Sequence, residues 1–310
     1  DWMVLAFTAL LAVVIAFLLS FAPRVGNEQS LSAGLAAGSL KTSGSGRRKR
    51  LQQALVVTQV AVSVVLLSGA GLLVRSMQQL AAVDPGLNPK NVLTMEVPLD
   101  FTAVTDFAKA GQRYEEMQRA LTTLPGVELV GLGSTIPLRA SQILLEMKAE
   151  GRTTEDGPTP SAEYRTADPG YFRASGIPLL KGREFAAGDV PTSEKVVILN
   201  KTLADRLFPT SDPIGRRVAW TGDVLRFIGV SGDWRTVVGV MNNTKDGGLD
   251  APPLPVAFLP VAQAEFPPGG LVIRSAVDPN GLSTAARAIV RSIAPDQPIQ
   301  GCIRLIQRRR

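Results

Sequence analysis

Two uninterrupted apolar runs open the chain, and beyond them the pattern breaks into short alternating segments. The first run is Trp2–Phe21 (WMVLAFTALLAVVIAFLLSF), and the second begins at Leu51 and carries no charge for about 24 residues, until Arg75. At 1.5 Å per residue, each is long enough to cross a bilayer core of ~30 Å. No basic stretch precedes Trp2–Phe21, no A-x-A site follows it, and it is too long for a leader's apolar core, so it reads as a true span. Asp1 in place of a methionine reads as the cut end of something longer. Between the runs, Pro23 to Gly46 is rich in Ser, Gly and Ala: a flexible linker, with a short helix expected at Leu31–Leu40. Within the second run, Ser63, Ser68, Gly69, Ala70 and Gly71 form a small-residue region. Such residues let another helix pack closely, and they are equally often just tolerated in spans.

After Asp84-Pro85-Gly86 the periodicity switches. Val92–Leu99 predicts a strand, and Asp106–Leu124 an amphipathic helix with Phe107, Ala110, Tyr114, Met117, Leu121 and Leu124 on one face. Val127–Ser134 returns as a strand, which completes a β-α-β unit. Near the C-terminus, Leu271–Ser275 predicts a strand. Asp278-Pro279 then opens a helix with Leu282, Ala285, Ile289 and Ile293 inward, stopped by Pro295. Val237–Val240 and Val256–Leu259 are assigned as strands of this second half. Two such halves, far apart in sequence, can close into one ferredoxin-like sheet with helices on one face, an α+β arrangement. Between them, strand-like pieces at Leu144–Ala149, Ala162–Ala167, Val196–Leu199, Arg217–Trp220 and Leu225–Val230 alternate with Gly/Pro turns. One short helix, Lys201–Leu207, follows Asn200 as its N-cap. This stretch reads as an inserted, mainly β subdomain.

The 310 residues carry a net charge of +6. Arg47, Arg48, Lys49 and Arg50 abut the second span, and Arg308, Arg309 and Arg310 close the chain; without those seven the balance is about −1. The basicity is therefore topogenic and not a nucleic-acid footprint. Arg24 and the Arg47–Arg50 cluster place the linker in the cytoplasm, so the first span runs inward, the second outward, and the remainder lies outside. The segments are then 1–22 (span), 23–50 (cytoplasmic linker), 51–80 (span), 81–300 (exported domain) and 301–310 (basic tail).

The sequence contains one cysteine, Cys302, and no histidine. An internal disulfide, a Ser-His-Asp triad, a Cys-His dyad and the usual zinc sites are thereby excluded. Gly44-Ser45-Gly46 lacks the G-x-x-x-x-G-K-[ST] pattern, and Gly131-Leu132-Gly133 lacks a third glycine and a following helix, so neither marks a nucleotide site. Glu115 and Glu116 fall on the solvated side of their helix beside Arg119. Glu146, Glu150, Asp233, Asp246 and Asp250 fit neither an EF-hand nor a shared helix face and are expected to be solvated. Arg183, Arg216 and Arg217 are assigned to the surface. No catalytic, cofactor-binding or metal-binding residue is assigned.

Several segments together resemble a known family. Leu55–Leu99, LPGVELVGLGSTIPL (124–138), YRTADPGYFRASGIPLLKGREF (164–185), VVILNKTLADRLFP (196–209) and DPIGRRV (212–218) are similar to MacB-like periplasmic core domains. TVVGV (236–240), PVAFLPVAQ (255–263) and 271–299 continue the likeness. In wording it is nearest to the FtsX/MacB-type permeases of the acidobacterial duplicated class, and DWMVLAFTALLAVVIAFLLSFAP resembles the last span of their first membrane block. The resemblance implies a type VII ABC-transporter permease in the inner membrane. Its "porter" part would occupy about 90–138 and 235–300, with an inserted "sabre" part over about 140–232. It further implies a separate cytoplasmic ATPase that binds the ATP, a second permease half or a homodimer, a periplasmic adaptor, and coupling by motion without a substrate tunnel. Three further spans that the family places after the domain are not in the sequence, and GCIRLIQRRR departs from its continuation, so the chain is expected to be a fragment or frameshifted product. The alternatives are a membrane-anchored extracytoplasmic binding or sensor module, and a membrane-anchored hydrolase with a converging carboxylate pair.

Overall fold

A computed structural model describes Phe7, Leu11 and residues 45–98, 107–141, 143–152 and 158–305. The expected first span, Trp2–Phe21, lies outside the described residues apart from Phe7 and Leu11, which are helical; so does the linker over 23–44, with its expected helix. The chain divides into two units, Asp1–Val74 and Arg75–Arg310.

The first unit is described through helix α1 (Ser45–Ala82), whose last turns belong to the second. Nothing between Gly46 and Leu51 breaks a helix, and Arg, Lys and Gln favour one, so the Arg47–Arg50 cluster is helical. Among the described residues, Gln53–Leu80 is the one helix long and apolar enough to cross a membrane. Its large side chains find no protein cover: Val65, Leu67 and Leu72 are about 70% exposed. Such a surface is stable only against lipid or other helices.

In the second unit, strands β1 (Val92–Glu96), β2 (Val127–Gly133), β10 (Gly270–Ser275) and β11 (Gln300–Arg304) form an antiparallel sheet in the order β11-β1-β10-β2. Helices α2 (Phe107–Thr122) and α6 (Pro279–Ile293) connect β1 to β2 and β10 to β11. This is the ferredoxin-like arrangement. Alternation along β1 sends Leu93, Met95 and Val97 under the helices and Val92, Thr94 and Glu96 to the other face. On α2 the buried stripe is Ala110, Tyr114, Met117 and Leu121, as the 3–4 spacing predicts; on α6 it centres on Leu282, Ala286 and Val290, so Ala286 and not Ala285 faces in.

Two corrections concern this sheet. Of the expected tail 301–310, residues 301–304 belong with Gln300 to its fourth strand, paired with β1, and Cys302 is buried under α6; residues 306–310 lie outside the described residues. The strands at Arg235–Met241 (β8) and Val256–Pro260 (β9) do not belong to it. They pair with the inserted region, made of β3 (Leu144–Ala149), β4 (Ser161–Ala167), β6 (Val196–Asn200) and β7 (Arg217–Thr221). Pairings β4–β3, β3–β7, β7–β8, β8–β6, β6–β9 and β9–β4 close on themselves. The insertion is thus a closed six-stranded barrel, which removes every edge within the ring. Met147, Tyr164, Val197, Leu199, Val218, Trp220, Val237 and Leu259 fill it, and helix α4 (Lys201–Leu207) adds Leu203 and Leu207.

Asn200 caps α4 as predicted, its side chain accepting from Leu203 N at 3.0 Å, and the same Oδ1 accepts from Val256 N. Leu225–Ile228, expected as a strand, is instead a single helical turn, α5, because Gly229 in the left-handed region (φ 70°) ends it with a bond to Leu225 O. Helix α3 (Tyr171–Ser175) and the edge strand β5 (Leu179–Gly182), which pairs with β8, were not anticipated.

Candidate functional site

The barrel wall formed by β4, β9 and β6 lies against the open face of the ferredoxin-like sheet, with α3 between them. Tyr171, Phe172, Ile198, Phe258, Val92 and Val272 make one shared core there. The approach is close enough to require glycine: a Cβ on Gly131 would sit 2.5 Å from Tyr171 Cα, and one on Gly133 2.6 Å from the Tyr171 ring. The G-L-G of β2 is therefore a seat for α3, which explains glycines that carry no nucleotide. Asp168 pins the same joint, its carboxylate accepting from Leu132 N (2.9 Å), Gly170 N (3.2 Å) and Gln118 Nε2 (2.6 Å). Burial pushes the Asp168 carboxyl up from its ordinary value, and these hydrogen bonds oppose the shift.

Beside this core lies a buried charge cluster. Alternation on β4 places Glu163 and Arg165 on the outer wall of the barrel, toward the junction. The Arg165 guanidinium meets Glu163 Oε2 at 2.5 Å and Asp246 Oδ2 at 3.0 Å, and donates to Arg139 O at 2.9 Å. All three ionised side chains are at most 4% exposed. Their remaining capacity is used: Ser141 N donates to Glu163, Leu138 N to Asp246, and the Thr244 hydroxyl to Asp246. Burial alone would lower the Arg165 pKa; Asp246 and Glu163 more than offset it, and the net shift is upward. Arg139 in turn pairs with Glu96 at the end of β1. Asp246, expected to be solvated, is corrected to a buried partner; only pairing of loop 242–246 with a distant strand makes that burial tolerable.

The barrel's own interior charge contrasts with this. Arg235 approaches Glu265 at 3.5 Å, and Glu265 accepts from Tyr164 Oη (2.9 Å) and Ser231 N (3.0 Å). Burial dominates there and lowers the Arg235 pKa.

The segment that leaves α1 is held from both sides of the junction. Lys245 N donates to Pro85 O (3.1 Å), Asn242 Nδ2 to Gly86 O (3.3 Å) and Asn88 N to Gly176 O (3.0 Å). Leu87 enters the shared core. Arg274 Nη1 and Nη2 donate to Lys90 O and Asn88 O, and its Nε to Arg173 O. The loop that grips the exit segment is thus the one whose Asp246 anchors Arg165.

Of the other residues singled out in the sequence, Glu150 pairs with Arg217 and Asp233 with Lys195 at the surface, and half-exposed Arg183 pairs with the buried Asp189. The Arg183 guanidinium holds the Asp189 carboxyl below its usual range. Glu115 and Glu116 are exposed, as are Glu146 and Asp250. Ser63 Oγ donates to Gln59 O within its own helix at 2.8 Å, and the space beside Gly69 and Gly71 is open. Arg47, Arg48, Lys49 and Arg50 stand on the first turns of the same helix as Ser68, Gly69, Ala70 and Gly71. None of these joins the charge cluster.

The fold and site define a domain in which a ferredoxin-like sheet and an inserted barrel share a core, preceded by a helix long and apolar enough to cross a membrane. The chain belongs to the MacB-like periplasmic core domain family, whose model matches residues 54–293, and is a member of the ABC-type permeases that carry this domain. The macrolide export ATP-binding/permease proteins MacB of Neisseria gonorrhoeae and of Neisseria meningitidis are each 37% identical over 60 residues, 19% of this chain. The matched part spans 9% of those relatives' length. Among solved structures, the periplasmic region of MacB from Actinobacillus actinomycetemcomitans is similar with a TM-score of 0.46 at 16% identity, covering 70% of this chain and 91% of that one. The extracellular domain of the noncanonic ABC-type transporter YknZ from Gram-positive bacteria gives 0.42 at 16% identity, covering 65% and 94%.

Proposed function

We propose that the chain is the permease part of an ABC-type exporter or envelope mechanotransmission system, carrying movement from a cytoplasmic ATPase across the inner membrane to its periplasmic domain. The observation that carries this is the continuity of α1 with a gripped exit segment: one helix runs to Ala82, and within a few residues its backbone is hydrogen-bonded to the barrel loop. ATP is bound by the partner ATPase, the Arg47–Arg50 end lies in the cytoplasm, and Ser63, Ser68, Gly69, Ala70 and Gly71 face another span of a multi-pass assembly. That assembly is completed by a second permease half or a second copy, with a periplasmic adaptor on its outer side. Affinity purification of the full-length gene product tests this. A P-loop ATPase is expected to co-purify, with hydrolysis altered when the periplasmic domain is changed. Purification without any ATPase would instead favour an anchored binding or sensor module.

A further inference from the structure

We infer that loop 242–246 is the point at which displacement of the membrane helix is handed to the inserted barrel, with Gly86 as the contact that makes the grip tight. This deepens the transmission role proposed above and rests on it. Four of the loop's five residues reach outside it. Asn242 holds Gly86 O through its side chain and Pro178 O through its backbone (2.9 Å). Asn243 Oδ1 accepts from Thr202 N at the start of α4 (2.9 Å). Lys245 N holds Pro85 O, and Asp246 holds Arg165 on β4 and Leu138 N on the β2–β3 connection. The loop follows β8 directly, so a pull on Pro85–Gly86 loads a strand of the closed ring and, through α4 and Arg165, two further places on the barrel.

Gly86 has φ 81°, and a Cβ there would lie 1.8 Å from Asn243 O, a backbone atom that cannot swing aside. Only glycine permits this contact. On the exit segment's other side, Asn88 is bonded to Gly176 at the end of α3, which seats on the ferredoxin-like sheet. The exit is therefore clamped between the two parts of the domain, and the barrel-side jaw is loop 242–246.

Amide hydrogen exchange on the full-length permease tests this, first without nucleotide and then with its co-purified ATPase and ATP. The amides of Lys245 and Asn88 are expected to exchange about 100-fold or more slowly than in an unstructured peptide. Gly86→Ala is expected to speed both by about tenfold or more while the β6 amides of Val197 and Ile198 keep their protection. Asn242→Ala removes one bond without strain; it should speed Lys245 a few-fold and weaken the response of barrel amides to ATP. Loop-like exchange at Lys245 and Asn88 in the wild-type chain, or no effect of either variant on them, would overturn the clamp even if ATP changes exchange elsewhere. Should Gly86→Ala not fold, Asn242→Ala alone decides. Slow, clamped amides with no response to ATP anywhere would instead overturn the transmission role and the hand-over with it.

Discussion

Arg165→Met offers the sharpest test of how the two parts of the domain are joined. Met matches the aliphatic length of the side chain, so the substitution removes charge and hydrogen bonds with little change in packing. What remains is two carboxylates, Glu163 and Asp246, both almost wholly buried, that have lost their shared cation. Backbone donors from Ser141 and Leu138 still reach them, but no positive charge replaces the guanidinium. Removing one partner of a buried ion pair costs about 3–5 kcal/mol, a fifth or more of a typical domain's total of about 5–15 kcal/mol. With a urea dependence of about 2–3 kcal/mol per M, the unfolding midpoint falls by about 1–2.5 M. The assay is urea unfolding of the detergent-solubilised chain followed by tryptophan fluorescence, which Trp220 in the barrel core reports. The triple variant Arg165→Met/Glu163→Leu/Asp246→Leu is expected to recover much of the loss, because an apolar replacement of a whole buried cluster is often neutral. A midpoint shift below about 0.5 M for the single variant would refute the view that this cluster staples the barrel to the sheet.

Gly131→Ala forces α3 off its seat and is expected to cost about 1–3 kcal/mol by thermal unfolding, with no change refuting the close contact. Asp168→Asn tests linkage. Because burial raises the folded-state pKa of Asp168, its stabilising share is full below the ordinary carboxyl range and fades as pH rises through the raised value. The wild-type chain should therefore lose ground to the Asn variant as pH climbs from about 4 toward 7, and a pH-independent difference would contradict this. Neutralising Arg47, Arg48, Lys49 and Arg50 to Gln should scramble the orientation of the span, read as a mixed population in protease-protection of the periplasmic domain; retained uniform orientation would show that the cluster is not topogenic. Phe227→Ser, at a side chain 87% exposed, should leave stability within about 0.5 kcal/mol, and a larger loss would mean that the tip of α5 is packed.

Local chemistry was legible wherever a residue's role depends on its near neighbours. The Asn200 cap, the Tyr114–Met117–Leu121 stripe and the Asp278-Pro279 helix start all follow from spacing of three or four residues. The barrel was not legible because its closure depends on pairing β4 with β9, about 90 residues apart, and strand sequences specify a pleated, half-buried surface but not a partner. For the same reason β8 and β9 were assigned to the nearer sheet. Residues 301–304 looked like the start of a tail because their brevity and the basic run after them hide a strand that β1 completes. The charge cluster was missed at Asp246, where a turn-like NNTKD hides burial against a strand some 80 residues earlier. The G-L-G of β2 did carry a signal: two glycines alternating in a strand mark close backbone approach.

The barrel enters and leaves the ferredoxin-like sheet at almost the same spot. Gly133, the last residue of β2, pairs with Gly270, the first of β10, and Gly269 N donates to Gly133 O at 2.9 Å. The ends of the whole excursion are therefore no farther apart than the ends of a tight hairpin. A short turn could bridge them without disturbing the register of either strand. The connection therefore does nothing to aim the barrel: its placement on the sheet falls to the surface the two bury together.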